Sequence, residues 1–242
     1  MRRASALLIG NELLSGKIAD TNLLILARCL RGLGIALRRV VMILDDPDVI
    51  ASDVKSLAAT HDLVFTSGGI GPTHDDVTVE GVARAFGVTV IRDHEMERRI
   101  RSHYGATCTE SHLLHARVPE GARLVSTPDM PWPTVVMRNV WLLPGVPEVF
   151  RMKMRHVETL LGGDAPFVSF AVFTTLDESD LKPLLDGVVA TYGDVDIGSY
   201  PRWHDPEYQT KLTFDGIDEA RARAARDAFA ACLPPATVVR IV

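Results

Sequence analysis

Between Leu63 and Phe86 an apolar run gives way to a glycine-rich polar turn and then to a helical stripe, and no other stretch restricts the fold as much. Leu63, Val64 and Phe65 are strand formers. Ser67, Gly68, Gly69, Gly71, Pro72 and Thr73 make the turn, after which Val79, Val82, Ala83 and Phe86 recur at the spacing of one helix face. The order strand, loop, helix sets unpaired backbone N–H groups and the positive end of a helix dipole beside the loop, which suits it to a phosphate or carboxylate. Two adjacent acids, Asp75 and Asp76, would repel that anion unless a cation stands between them, and a divalent ion supplies such a charge. The same residue types also build an ordinary turn in which Asp76 or Thr78 caps the helix. The pattern is neither a Walker loop, since no Gly-Lys-Ser/Thr follows, nor the spaced dinucleotide fingerprint.

The same order precedes this stretch. Ser5 to Ile9 reads as a strand leaving through Gly10, Asn11 and Glu12, and Asp20, Thr21 and Asn22 offer caps to a helix over Leu23, Leu26, Ala27 and Leu30. Ile35 to Leu44 reads as a second strand, ending at Asp45 and Asp46 before a helix opened by Pro47. Alternation at these lengths predicts parallel βαβ units with right-handed crossovers, whose loops gather at the carboxyl ends of the strands. Glu12, Asp45, Asp75 and Asp76 all follow strands, so the topology brings four carboxylates to one edge. Further on, Val88 to Ile91 is a strand, His94 to Tyr104 a helix, and Thr134 to Met137 with Val140 to Leu143 a hairpin turning at Arg138-Asn139. Pro144, Gly145, Val146 and Pro147 then open a helix towards Leu161.

Gly162, Gly163 and Asp164, with Pro166, mark a boundary, giving domains over residues 1–163 and 164–242. In the second, strands at 168–174, 196–199, 209–214 and 238–242 and helices at 180–190 and 219–232 follow the order βαββαβ, a ferredoxin-like α+β arrangement. The loop from Tyr200 to Tyr208 holds aromatics with Arg202; it suits stacking on a flat ring or filling an interface.

Composition narrows the function. With a net charge of −5 over 242 residues and scattered basic groups, the chain lacks a nucleic-acid footprint. No apolar run is long enough to span a bilayer, and a cytoplasmic location is expected. Three widely spaced cysteines make neither a disulfide framework nor a zinc site; Cys29 is expected to be packed on a helix. His94, His103, His112 and His115 have no ligand-helix spacing and read as solvated or satisfied.

Read together, GGIGPTHDDVT, GNELLSG with DTN, and LPGVPE resemble the molybdopterin-binding (MoaB/MogA-like) superfamily, in the form of the CinA N-terminal domain. STPDMPWPT stands where most CinA-like chains carry Asn-Pro-x-Gly-x-Ala-Pro-Gly. That segment, RNVWLLPGVPEVF, GSYPRW and YQTKLTFD are closest to the domain fused to eukaryotic FAD synthase, so the likeness covers essentially the whole chain. The resemblance implies a three-layer, doubly wound α/β domain with a mostly parallel sheet, followed by the small ferredoxin-like domain. It implies divalent-metal-dependent hydrolysis of a nucleotide diphosphate, FAD or ADP-ribose. The alternatives are binding or adenylylation of molybdopterin in molybdenum cofactor synthesis, or a non-catalytic nucleotide- or pterin-binding module. Asp45, Asp76 and Glu12 are then the catalytic candidates, and Asp75, Asp76 and Asp45 the ligands for Mg²⁺, Mn²⁺ or Co²⁺. Ligand contacts are expected from Ser67, Gly68, Gly69, Gly71, Pro72, Thr73, Thr78, Gly10, Asn22, Gly145 and Pro147. The expected partners are a small nucleotide or pterin and further copies of the same chain, with no nucleic acid and no membrane.

Overall fold

A computed structural model of the chain describes residues 1–130, 132–163, 165–204 and 206–242. It divides into two compact units, Met1–Asp164 and Ala165–Val242. Asp164 of the boundary signal, Pro131 within STPDMPWPT and Asp205 within the aromatic loop lie outside the described residues.

The first unit runs β1 (Arg3–Ile9), α1 (Asn11–Leu14), α2 (Asn22–Gly32), β2 (Ala36–Ile43), α3 (Pro47–Thr60), β3 (Leu63–Ser67) and α4 (Thr78–Phe86). It continues through β4 (Val90–Arg92), α5 (His94–Tyr104), α6 (Glu110–Leu113), β5 (Arg117–Pro119), β6 (Arg123–Val125), β7 (Thr134–Met137), β8 (Val140–Leu143) and α7 (Pro147–Leu161). Its six-stranded sheet has the order β2-β1-β3-β8-β7-β6. β1, β2, β3 and β8 pair in parallel, and the hairpin adds β7 and β6 antiparallel at one side.

Both sheet faces are covered. On one, Ala4, Ala6, Phe65 and Leu143 pack with Leu26 and Leu30 of α2 and with Phe150, Met154 and Val157 of α7. On the other, Leu7, Ile9 and Val64 meet Ile50, Val54 and Leu57 of α3 and Val79 and Val82 of α4. Burial on both sides explains why β1 and β3 read as continuous apolar runs, the pattern of a buried parallel strand. Cys29 packs within the first layer, and burial, with Glu158 beside it, pushes its thiol up to about 12. The register levels the strand ends: Ile9 pairs with Ile43, Leu8 with Ser67, and Ser67 with Leu143. All four loops after these strands therefore leave at one height.

The second unit comprises β9 (Val168–Thr174), α8 (Glu178–Thr191), β10 (Asp196–Pro201), β11 (Thr210–Gly216), α9 (Glu219–Cys232) and β12 (Val238–Ile241). Its antiparallel sheet, in the order β10-β11-β9-β12, carries a core of Val172, Leu212 and Phe214 against Leu181, Ala222, Ala225 and Phe229 of the two helices. This is the βαββαβ order read from the sequence. In the aromatic loop Tyr208 is buried edge-on against Phe173, at 4.9 Å between centroids, while Trp203 is 87% exposed. Among the described residues no helix is long and apolar enough to cross a membrane.

Candidate functional site

The level strand ends open onto a cavity of about 1020 Å³ within the first unit. Gly10, Glu12, Asn22, Asp45, Ser67, Gly68, Gly69, Gly71, Pro72, Thr73, Asp75, Asp76, Gly145 and Pro147 all line it, so the sheet topology gathers every predicted site residue except Thr78. Thr78 has another task. It is fully buried, its hydroxyl donates to the Gly68 carbonyl at 2.9 Å, and its amide donates to the Gly69 carbonyl at 2.9 Å. It ties the glycine turn to the first residue of α4.

Two glycines make that turn possible. Gly68 has φ +107°, and a Cβ there would run into the carbonyl oxygen of Ile9; Gly69 has φ +65°, and its Cβ would strike the Thr78 hydroxyl. Both conformations are rare for other residues.

The carboxylates differ in what they do. Asp76 Oδ1 accepts the Gly71 amide at 2.7 Å, and its Oδ2 accepts the Thr73 amide at 2.8 Å and lies against the Thr73 hydroxyl. That hydroxyl also lies 2.6 Å from Asp75, holding the Asp75 carboxyl below the usual range. Asp76 is thus the loop's own anion, occupying two amides that the sequence reading offers to a phosphate. The amides of Gly69 and Ile70 are left with no protein partner among the described residues. Asp45 joins two strand exits: its Oδ2 accepts the Asn11 amide at 2.7 Å, and its own amide donates to Asn11 Oδ1 at 3.3 Å.

Glu12 stands apart. It is half-buried in α1, its carboxylate folds over the space where a Gly10 Cβ would lie, and that carboxylate has no hydrogen-bond or ion-pair partner among the described residues. Asn22 is 3% exposed; its Nδ2 donates to Ser67 Oγ at 3.0 Å and to the Gly145 carbonyl at 2.8 Å, while its Oδ1 is buried with no partner. The pairing with Gly145 sets the amide's orientation, because a carbonyl can only accept. Ser67 accepts from Asn22 and keeps its own proton to give. A buried acceptor without a partner typically costs roughly 1–3 kcal/mol, so Asn22 Oδ1 is suited to an N–H or O–H of a bound molecule.

Asp45, Asp75 and Asp76 do not form the expected metal set. Among the described residues no group of three or more His, Cys, Asp or Glu side chains is placed to hold a metal ion. The physical reason lies in the hydrogen bonds above: Asp76 and Asp45 are turned towards backbone amides of the loops they shape.

The cavity is also lined by residues the site motifs did not contain: His103, Tyr104, His115, Arg117, Trp132 and Lys153. Arg117 pairs with Glu80. Desolvation lowers the pKa of His115, against an opposing pull from Asp76. Lys153 is 7% exposed, and its Nζ donates to the carbonyls of Trp132 at 2.6 Å and Pro133 at 2.8 Å; burial lowers its pKa to about 8. His103 and His115 thus stand at the cavity, whereas His94 is exposed and His112 caps α6 and stacks on Tyr104 at 3.9 Å.

With this geometry in place, likeness to known proteins decides the family. Residues 5–161 match the family model described as probable molybdopterin binding domain. The chain belongs to that family. Residues 166–242 match a second model, FAD synthase, middle domain, so a molybdopterin-binding-type domain is joined here to an FAD-synthase-type module. A protein of Archaeoglobus fulgidus is 32% identical over 218 residues, covering 90% of this chain and 92% of its own. A CinA-like protein of Myxococcus xanthus is 34% identical over 240 residues, 92% of this chain and 56% of its own. A probable FAD synthase of Caenorhabditis elegans is 31% identical over 243 residues, 88% of this chain and 46% of its own. The chain thus spans about half the length of those last two. Among solved structures, the protein CinA, of unknown function, from Thermoplasma acidophilum matches with a TM-score of 0.60 and 32% identity, over 66% of this chain and 98% of that one.

Proposed function

We propose that the cavity of this molybdopterin-binding-type domain binds a nucleotide diphosphate, FAD or ADP-ribose, and hydrolyses the diphosphate. One juxtaposition carries the reading: Gly69 and Ile70, whose amides have no protein partner among the described residues, line the same cavity as Ser67, Asn22 and Glu12, whose carboxylate is uncommitted. The amides and hydroxyl donate to phosphate oxygens, as donors aimed at developing negative charge do in phosphate chemistry. Glu12 takes the proton of the water that attacks the adenylyl phosphorus; the bridging P–O bond breaks, AMP is formed, and the other phosphate leaves as part of FMN or ribose phosphate. Asp76 shapes the loop, and Asp45 holds the exits of β1 and β2 together, so both act on the site by positioning it.

The residues present do not make a resident metal centre, and no step is assigned to one. The test therefore runs with and without divalent ions. The purified chain is offered FAD and ADP-ribose with Mg²⁺, Mn²⁺ or Co²⁺, and again with chelator, while AMP is followed by chromatography. AMP release that Glu12→Gln abolishes supports the reading; tight binding without AMP release under every condition overturns hydrolysis.

A second reading is binding or adenylylation of molybdopterin. It is favoured by the commitment of Asp45 and Asp76 to loop structure, which leaves a cavity equipped to bind, and by the family's described ligand. Higher affinity for the pterin than for either nucleotide would select it.

A further inference from the structure

We propose that His103, Tyr104 and Trp132 form a stacking platform for the flat heteroaromatic ring of the ligand, so that the site selects ring-bearing diphosphates over ringless ones. This rests on the phosphate reading above and extends it to further residues of the same cavity. All three side chains line the cavity that the Gly68–Thr73 loop also lines. Their rings already contact one another: His103 lies edge-on to Trp132 at 5.2 Å and to Tyr104 at 4.8 Å. Rings gathered at the wall of a concave site, with His103 and Tyr104 exposed and Trp132 half-buried, are ready partners for a π-face, because stacking removes apolar area from water without a demand for matched hydrogen bonds.

The platform is also held still. Trp132 packs on the small core of Met96, Ile100, Leu113 and Ala116, which fixes it relative to α5. From the other side Lys153 of α7 ties the carbonyls of Trp132 and Pro133 down. A buried ammonium with no carboxylate beside it among the described residues is a costly way to anchor a loop. Its effect here is to fix the position of the one indole in the cavity among the described residues. A preorganised ring surface loses less freedom when the ligand docks.

The test measures binding of FAD, ADP-ribose and inorganic pyrophosphate by calorimetry, to the full chain and to variants. Trp132→Leu is expected to weaken FAD and ADP-ribose by about 10-fold and leave pyrophosphate within two-fold, while Trp132→Phe retains most of the affinity. Tyr104→Leu, at a partly exposed position, is expected to repeat the ring-selective loss and serves if Trp132→Leu fails to fold. Gly69→Ala separates the two claims, since it is expected to weaken all three ligands. If Trp132→Leu and Tyr104→Leu leave FAD unchanged while Gly69→Ala weakens it, the platform is refuted and the phosphate loop stands. If Gly69→Ala weakens none of them, or the full chain binds none, the phosphate reading falls and the platform with it.

Discussion

Asp76 Oδ1 accepts the backbone amide of Gly71 at 2.7 Å, which turns a conspicuous acid of the glycine motif into a brace for the loop that contains it. Asp76→Asn keeps the size but places one amide NH₂ where an acceptor is needed, against a backbone N–H. Charge-assisted bonds of this kind contribute more than neutral ones. We expect a stability loss of about 1–3 kcal/mol in urea denaturation, together with a turnover loss of about 100-fold because the loop no longer holds its shape. Lost turnover at unchanged stability would instead place Asp76 in the chemistry itself.

Glu12 should behave in the opposite way. Its carboxylate supports no other group, so Glu12→Gln is expected to leave stability within about 0.5 kcal/mol of the parent. Hydrolysis should fall by about 100-fold or more with little change in Kd, as for loss of a general base. A fall in affinity with turnover preserved would make Glu12 a binding residue.

Asn22→Leu removes the donors to Ser67 and to the Gly145 carbonyl together with the unpartnered Oδ1. Leaving the Gly145 carbonyl unpaired is expected to cost about 1–3 kcal/mol. Ligand affinity should also drop. Asn22→Asp keeps an acceptor at Oδ1 but faces the Gly145 carbonyl with an oxygen, so the two variants compared by thermal melts and calorimetry separate the structural part from the ligand part.

Lys153 makes stability depend on pH. Its pKa is lowered from 10.5 unfolded to about 8 folded, so between those values the unfolded chain binds more protons and stability rises with pH. The rise from pH 7 to pH 9 is expected to be about 1 kcal/mol, from one unit of differential titration. Lys153→Met should lack it in denaturation at the two pH values. Cys29 acts with the opposite sign: its thiol is raised to about 12, so stability falls as the unfolded thiol ionises above 9. Measuring at or below pH 9 keeps that contribution small. Parallel profiles for parent and variant would show that Lys153 is not titrating as a buried group.

Much of this was legible from local pattern. The strand at Leu63–Ser67, the helix it feeds, the hairpin at Thr134–Leu143 and the start of α7 at Pro147 occur where periodicity and turn residues put them. Less legible were β5, whose three-residue pairing with β4 leaves no periodic trace, and the roles of Thr78 and Asp76, which depend on which way one side chain turns. His103 and His115 read as ordinary solvated or satisfied histidines, and no motif marks Lys153 within its helix. Only the replacement segment Ser126–Thr134 hinted that the wall containing Trp132 is particular to this kind of chain.

The alternation of apolar runs and glycine turns settles the parallel sheet and sends the loops of Gly10, Asp45, Ser67 and Gly145 to one edge, because right-handed crossovers permit little else. Packing between distant segments settles the rest: α5, the β7 approach and α7 meet around Trp132, and hydrogen bonds over a few residues turn Asp76 inward while Glu12 stays free. Backbone topology follows from patterns a few residues long. The part of the cavity around Trp132 follows from contacts between residues far apart in the chain, which no local pattern encodes.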